Sequence, residues 1–477
     1  MHRINLNLLL TLSIAVCQIS YGQTLSKQVT DYVAIPDTTL VLKNVTLIDG
    51  SGGEIKYNQD ILILNDRIAA IGESDEVEVL ENALVVDGTG KTVIPGLIMM
   101  HEHLFHAKPF FGSYKIVQMA HTFPQMYLAG GVTTMRTAGG IEANSDLNIK
   151  NLIETGRRVG PYIDVSTPHI EREGFEEYIP QLQSLYGEES LENWLNYWFD
   201  KGATSVKVYN NLTKADLGEV IRVAHARGIK VTGHLCSITY REAAELGIDN
   251  LEHTFEASTD FVKDKPENEC VYGGQSLFEL EDDDPELLSL MEFLIEKNVT
   301  LTYTPVVVEP YTDREVISGG GDAALAPYLL AQMKQAHASA VNTVGDSISL
   351  VSFKQEMRRV MKFHALGGKI TVGTDPTYVG KTIAGYSNQR MIEILIEAGF
   401  TIEEAIKLSS LNGAEYLEID DERGTVEAGK KADLVLIDGD LSKDVSAIRK
   451  MEIVFKNGVG FDSARIFKSV EGQVGAY

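Results

Sequence analysis

Two rhythms of apolar and polar residues run along the chain. From about Thr38 to Val93, short apolar runs are broken by turn residues such as Asp49-Gly50 and Asp87-Gly88. No 3.6-residue period is evident there, which predicts β-strands, among them Leu40–Ile48, Ile61–Leu64 and Ile68–Ile71. From about Ile94 to Leu417 the pattern changes: short apolar runs alternate with amphipathic helical stretches. An opening strand within Thr92-Val-Ile-Pro-Gly-Leu-Ile-Met-Met-His-Glu-His-Leu104 is followed by Val132–Met135, Tyr162–Val165, Ser205–Tyr209, Ile229–Thr232, Asn250–His253, Thr300–Tyr303 and Lys369–Gly373. One connecting helix is legible in detail. Thr213 caps it with Asp216 three residues on, Leu217, Val220, Ile221 and Ala224 share a face, and Gly228 stops it.

Eight strand–helix units predict a parallel (β/α)8 TIM barrel of class α/β, with its active site at the C-terminal strand ends. Strand character returns in Gly424–Ile437 and Glu452–Phe455. The expected organisation is a leader over 1–22, a barrel over 94–418, and a small composite β-sandwich from 38–93 and 419–470. Residues 306–365, with Ser318-Gly-Gly-Gly321, are long for one connection. A lid over the barrel mouth and a plain surface excursion both fit them.

Composition narrows the partners. A formal charge of −26 over 477 residues excludes a nucleic-acid binder, which needs a basic face to meet phosphates. His2 and Arg3, the apolar Leu8–Cys17 and the small residues Ser20 and Gly22 form a secretory signal pattern cleaved after Gly22. No stretch is suited to span a membrane. The expectation is an exported protein, periplasmic or extracellular; lipidation at Cys17 fits less well, because Val16 stands where a small residue belongs. Cys236 and Cys270 then remain, either paired or as two buried thiols. A small-molecule substrate is expected, and homo-oligomerisation stays open.

Candidate chemistry lies at the strand ends. In a strand, His101 and His103 emerge on one side with Glu102 turned away, as two ligands of a divalent metal would. Lys207 lies between valines in a buried strand, where a charged amine needs a partner. A nearby carboxylate or conversion to a carbamate that bridges two metals would each supply the answer. His234, His253 and Asp375 follow strands five, six and eight. Nitrogen and oxygen donors without thiolate suit zinc, with manganese, nickel, cobalt or iron(II) as alternatives.

Several segments together resemble the amidohydrolase superfamily, nearest its imidazolonepropionase-like and prolidase-like branch. They are Asn44-Val-Thr-Leu-Ile-Asp-Gly-Ser-Gly52, Pro95-Gly-Leu-Ile98 with His101-Glu-His103, Gly130-Gly-Val-Thr-Thr-Met-Arg136, Lys207-Val-Tyr209, Ala224-His-Ala-Arg-Gly228, Gly233-His234, Glu252-His253, Gly373-Thr-Asp375 and Gly429-Lys-Lys-Ala-Asp-Leu-Val-Leu436. The resemblance implies two divalent metal ions, with His101, His103 and Asp375 on one, His234 and His253 on the other, and carbamylated Lys207 between them. Met99 and Thr137 depart from the family's usual Asp at both positions, which weakens transfer of a particular substrate.

The expected reaction is hydrolysis of an amide C–N bond by a metal-bridging hydroxide, with dipeptides or N-acyl amino acids as favoured substrates. Asp375 is expected to move the proton, and His169 and Tyr209 to stabilise the oxyanion or place the substrate. His106 lines the pocket in this reading. Arg136 either grips a substrate carboxylate or forms an internal salt bridge. Cyclic-amide hydrolysis, deamination and lactone hydrolysis are alternatives on the same centre. An adenosine-type deaminase fits poorly, because Leu235, Cys236 and Ser237 follow His234 where that type carries a catalytic Glu. A binding protein on a retired barrel would have lost a ligand, and none is missing.

Overall fold

The computed structural model describes residues 25–476 except 37–38, 111–112, 173–183, 186–189, 313, 315–317, 345–349 and 377–381. The leader and Cys17 lie outside the described residues. Eight parallel strands run in chain order: β1 Leu97–Glu102, β2 Val132–Thr137, β3 Tyr162–Asp164, β4 Ser205–Val208, β5 Lys230–Gly233, β6 Asn250–Glu252, β7 Thr300–Tyr303 and β8 Ile370–Val372. The first three pair with one another, and so do the last five. An irregular continuation of β3 joins the two groups: the Thr204 amide donates to Val165 and the Tyr209 amide to Ile170, each at 2.9 Å. At the other seam, the Thr374 and Asp375 amides donate to the His101 carbonyl at 3.2 and 3.0 Å. Gly373 makes that seam feasible, since a Cβ there would lie 2.5 Å from the His101 backbone.

Val206, Val208, Val231, Leu251 and Leu301 lose all solvent exposure on the outer face of this ring, in one core with helix residues such as Leu217, Val220 and Leu290. Burying each such side chain contributes about 1.5–3 kcal/mol. The capping box of Thr213 and Asp216 is present on helix Lys214–His225. Helix Pro285–Glu296 carries Asp284 as its N-cap and proline in its first turn.

The opening apolar run is two strands rather than one. Thr92–Pro95 belongs to the terminal sheet and β1 to the barrel. Gly96 is the pivot between them, because a Cβ there would lie 2.1 Å from the Thr133 hydroxyl. The chain ends build a nine-stranded sheet that begins at Val33–Ile35, earlier than the expected 38. It curls so that Leu40, Leu42, Ile61 and Ile63 share a core with Leu434, Leu436 and Phe455. Of the long strand expected over Gly424–Ile437, only Leu434–Ile437 forms.

Within 306–365, the stretch after the glycine loop docks on the C-terminal tail. The Ala326 amide donates to Val474 and the Val474 amide to Ala324, both at 2.9 Å. Helix Leu350–Ala365 buries Phe353, Met357, Val360 and Phe363 in the main core. These parts are built into the fold and are not a lid.

Cys236 and Cys270 form a disulfide, with Cα atoms 4.7 Å apart across 34 residues of sequence. The bridge ties the segment after β6 to the mouth end of β5. Closing a loop of that length stabilises the native state by about 3–4 kcal/mol in the chain-entropy account. Replacing both cysteines with serine is therefore expected to lower the thermal midpoint by several degrees. An unchanged midpoint, with two free thiols titrating in the native wild-type protein, would show that the bridge does not form.

Candidate metal centre

Asp375 follows β8 with φ +47°, and His253 follows β6 with φ +64°, the next residue Thr254 holding +51°. Left-handed backbone at non-glycine residues costs on the order of 1–3 kcal/mol each, so surrounding bonds must hold it. The His101 carbonyl accepts from Thr374 and Asp375 at one turn. At the other, the buried Glu356 carboxylate accepts from the Phe255 amide at 2.9 Å and from the Thr254 hydroxyl.

Three histidines meet the Asp375 carboxylate through Nε2: His103 at 3.2 Å, His101 at 3.7 Å and His253 at 3.8 Å. Each uses Nδ1 on the far side. His101 Nδ1 meets Glu252 at 2.7 Å, His103 Nδ1 the Gly139 carbonyl at 3.2 Å, and His253 Nδ1 the Thr304 hydroxyl at 2.6 Å. For His101 and His103 such a partner fixes the proton on Nδ1 and aims the Nε2 lone pair inward, as a metal-binding imidazole requires. Donors about 2.0–2.1 Å from one ion in tetrahedral geometry lie about 3.3 Å apart. The donors of His101, His103 and Asp375 all lie within 4.8 Å of one another, so this set fits a divalent cation.

The other ligands expected from sequence lie alongside. The His234 ring packs 4.5 Å from His253, and Tyr209 lies 5.3 Å from His234 and 5.2 Å from His169. His169 in turn stacks 6.0 Å from His103. Burial pulls the histidines down, His101 to about 4 and His253 to about 3, with His234 and His169 well below the usual range. Neutral imidazole is the form that binds metal. Burial pushes the Asp375 carboxyl up, but His101 and His103 outweigh it and hold it well below the usual carboxylate range.

Beneath the histidines lies a residue that sequence reasoning passed over. Glu252 is wholly buried on β6. Besides His101, it accepts from Arg136 at 2.8 Å and from the Thr232 hydroxyl, and its Oε1 lies 3.6 Å from Lys207 Nζ. Burial pushes this carboxyl up, but Lys207, His101 and Arg136 outweigh it and hold it well below its ordinary range. Burial likewise pulls the Lys207 amine down, with Glu252 opposing. The signal was available: a charged residue inside a buried strand demands a partner at Glu252 as much as at Lys207.

Two expected substrate contacts are corrected. Arg136 has no exposed surface and donates to Glu252, Asn250 and the Met100 carbonyl, so it is the internal salt bridge and not a carboxylate clamp. His106 turns toward Phe123, at 6.5 Å between rings. Alternation along strand Phe105–Phe110 instead sets Phe105 against His103, at 4.5 Å. Phe105, Ala107, Ile116 and Ile141 cluster there against Tyr209.

With the barrel and this cluster in place, the class is that of a metal-dependent hydrolase of carbon–nitrogen bonds. The amidohydrolase family model matches residues 92–460, and the chain belongs to that family. An imidazolonepropionase from a Geobacillus species is 23% identical over 407 residues, 80% of this chain and 84% of its own. A dihydroorotase from Caldanaerobacter subterraneus is 38% identical over 96 residues, so that match spans only 20% of each chain. Among solved structures, a Xaa-Pro dipeptidase with methionine bound in its active site superposes with a TM-score of 0.63 at 20% identity, covering 89% of this chain and 100% of the other.

Glu252→Ala is expected to weaken metal affinity by about 10–100-fold in competition with a chelator, since it frees His101 and leaves two buried cations without their anion. Unaltered affinity in a folded variant would show that Glu252 does not support the ligands.

Proposed function

We propose that the chain is an exported hydrolase that cleaves amide C–N bonds of small molecules at a binuclear metal centre, with dipeptides or N-acyl amino acids as its favoured substrates. The observation that carries this reading is the convergence of three Nε2 atoms on Asp375, each imidazole backed by a partner at Nδ1. In it, His101, His103 and Asp375 would hold one ion and His234 and His253 the other, and Lys207, carbamylated by carbon dioxide, would supply a ligand shared by both. Zinc suits the donors. Such ions supply a water acidic enough to ionise near neutral pH and a Lewis acid for the carbonyl.

The protein's own groups do the rest. Asp375 takes the proton of the attacking water and returns it to the leaving nitrogen. Its lowered pKa keeps it in the ionised form that a proton acceptor needs. His169 carries a buried Nδ1 without a partner among the described residues, and Tyr209 stands beside it. Both serve the developing oxyanion or the substrate carbonyl. Phe105 and Ile141 form an apolar wall against Tyr209, suited to an apolar substituent. The long match to an imidazolonepropionase supports a second reading, a cyclic-amide substrate on the same centre. The disulfide supports export, because such bridges persist in oxidising compartments.

Metal analysis of the purified enzyme is expected to find about two ions per chain. Chelation is expected to abolish turnover of a panel of dipeptides, N-acyl amino acids, cyclic amides and lactones, and added zinc to restore it. Lys207→Ala is expected to lose metal and at least about tenfold in activity. Full activity with unchanged metal content in that variant would remove the bridge, and failure to bind metal at all would sink the enzyme reading. Periplasmic or medium fractions are expected to hold the processed chain; retention of the unprocessed chain in the cytoplasm would overturn export.

A further inference from the structure

On the opposite side of the barrel from the metal centre, a cavity of about 650 Å3 lies between the barrel floor and the terminal sheet. Pockets that hold small organic ligands span roughly 300–1,000 Å3. Four cations line it, Arg158, Arg423, Lys431 and Lys456, against a single lining carboxylate, Asp66. The chain as a whole carries 68 acidic and 42 basic residues, so the cavity inverts the sign of the molecule.

The cations differ in how they are matched. Lys431 pairs with Asp66 at 2.6 Å, and Arg423 pairs with Asp433, which stands behind the cavity. Lys456 Nζ donates to the Gly160 carbonyl at 2.8 Å, and Arg158 meets the His121 ring nitrogen at 2.6 Å. Among the described residues no carboxylate lies within ion-pair distance of either. Both side chains are half-buried, and a cation partly withdrawn from water with only a neutral partner carries a cost that an anion lowers. Burial and the nearby Arg423 pull the Lys456 amine down to about 7, with the more distant Glu154 only partly opposing them. The rest of the lining is largely apolar, with Val29, Val159 and Phe461 among it.

We infer that this cavity is a second binding site, for a small organic anion whose head meets Lys456 and Arg158 and whose body packs on the apolar lining. It is separate from the metal centre and takes no part in hydrolysis.

Isothermal titration of the purified enzyme with benzoate and with phenyl phosphate tests this, with benzyl alcohol as the uncharged counterpart. Saturable binding of at least one anion is expected, and at least about tenfold weaker binding of the alcohol. Lys456→Met is expected to weaken the anion by at least about tenfold and to leave hydrolysis unchanged. Arg158→Met gives the same reading should the first variant fail to fold. Absence of saturable anion binding would overturn the site, as would equal binding of the alcohol. Undiminished affinity in these variants would place the anion at the metal centre and overturn it as well.

Discussion

The structure depends on one buried carboxylate. Glu252 sits where two cations, Arg136 and Lys207, and the Nδ1 of His101 converge, shielded from bulk solvent. In such a setting a charge is tolerable only when its partners are present and well placed, and removing one partner of a buried pair costs about 3–5 kcal/mol. The network therefore acts in two directions. It allows a lysine and an arginine to stand inside the barrel, and it fixes the ring of His101, a candidate metal ligand, from behind. Thr232 and Asn250 extend it across β5 and β6, so the barrel interior under the site is polar and closed.

The upper half of the site is held differently. Asp375 and His253 stand on left-handed turns that their side chains do not favour. The bonds that maintain these turns come from far away in sequence: the His101 carbonyl for one, and Glu356 for the other. Strain is thus met by tertiary contacts, and the imidazoles reach Asp375 from the ends of two strands, β1 and β6. Gly373 contributes by allowing β8 to approach β1 closely enough for the first of these bonds.

How much of this could be read from the chain depends on the range of the information. The eight strands and the helix over Lys214–His225 were legible because alternation and capping are local. The residues of the candidate centre could be named from the chain because they stand at strand ends, and a barrel brings strand ends together. The split of the opening run at Gly96 was not, since two consecutive strands in different sheets look like one apolar stretch. The orientations of Arg136 and His106 were also beyond reach. Whether a side chain faces the mouth, the interior or a helix turns on which partner competes for it. For Arg136 that partner, Glu252, lies more than a hundred residues away, and for His106 it is Phe123 on the following helix. The terminal sheet shows the same limit, since Val33–Ile35 becomes a strand only by pairing with Val459–Asp462.

On the proposed reading, the network also explains how Lys207 can give up its charge. Conversion to a carbamate turns a cation beside Glu252 into an anion, which by itself would strand a buried carboxylate. Arg136 prevents that. It binds Glu252 at 2.8 Å, whereas Lys207 stands at 3.6 Å and is the looser partner. Arg136, Thr232 and His101 continue to satisfy Glu252 after the lysine has turned to the metals. The arginine that the sequence left open between a clamp on substrate and an internal salt bridge thus serves the floor of the site, keeping it neutral while the chemistry above it changes sign.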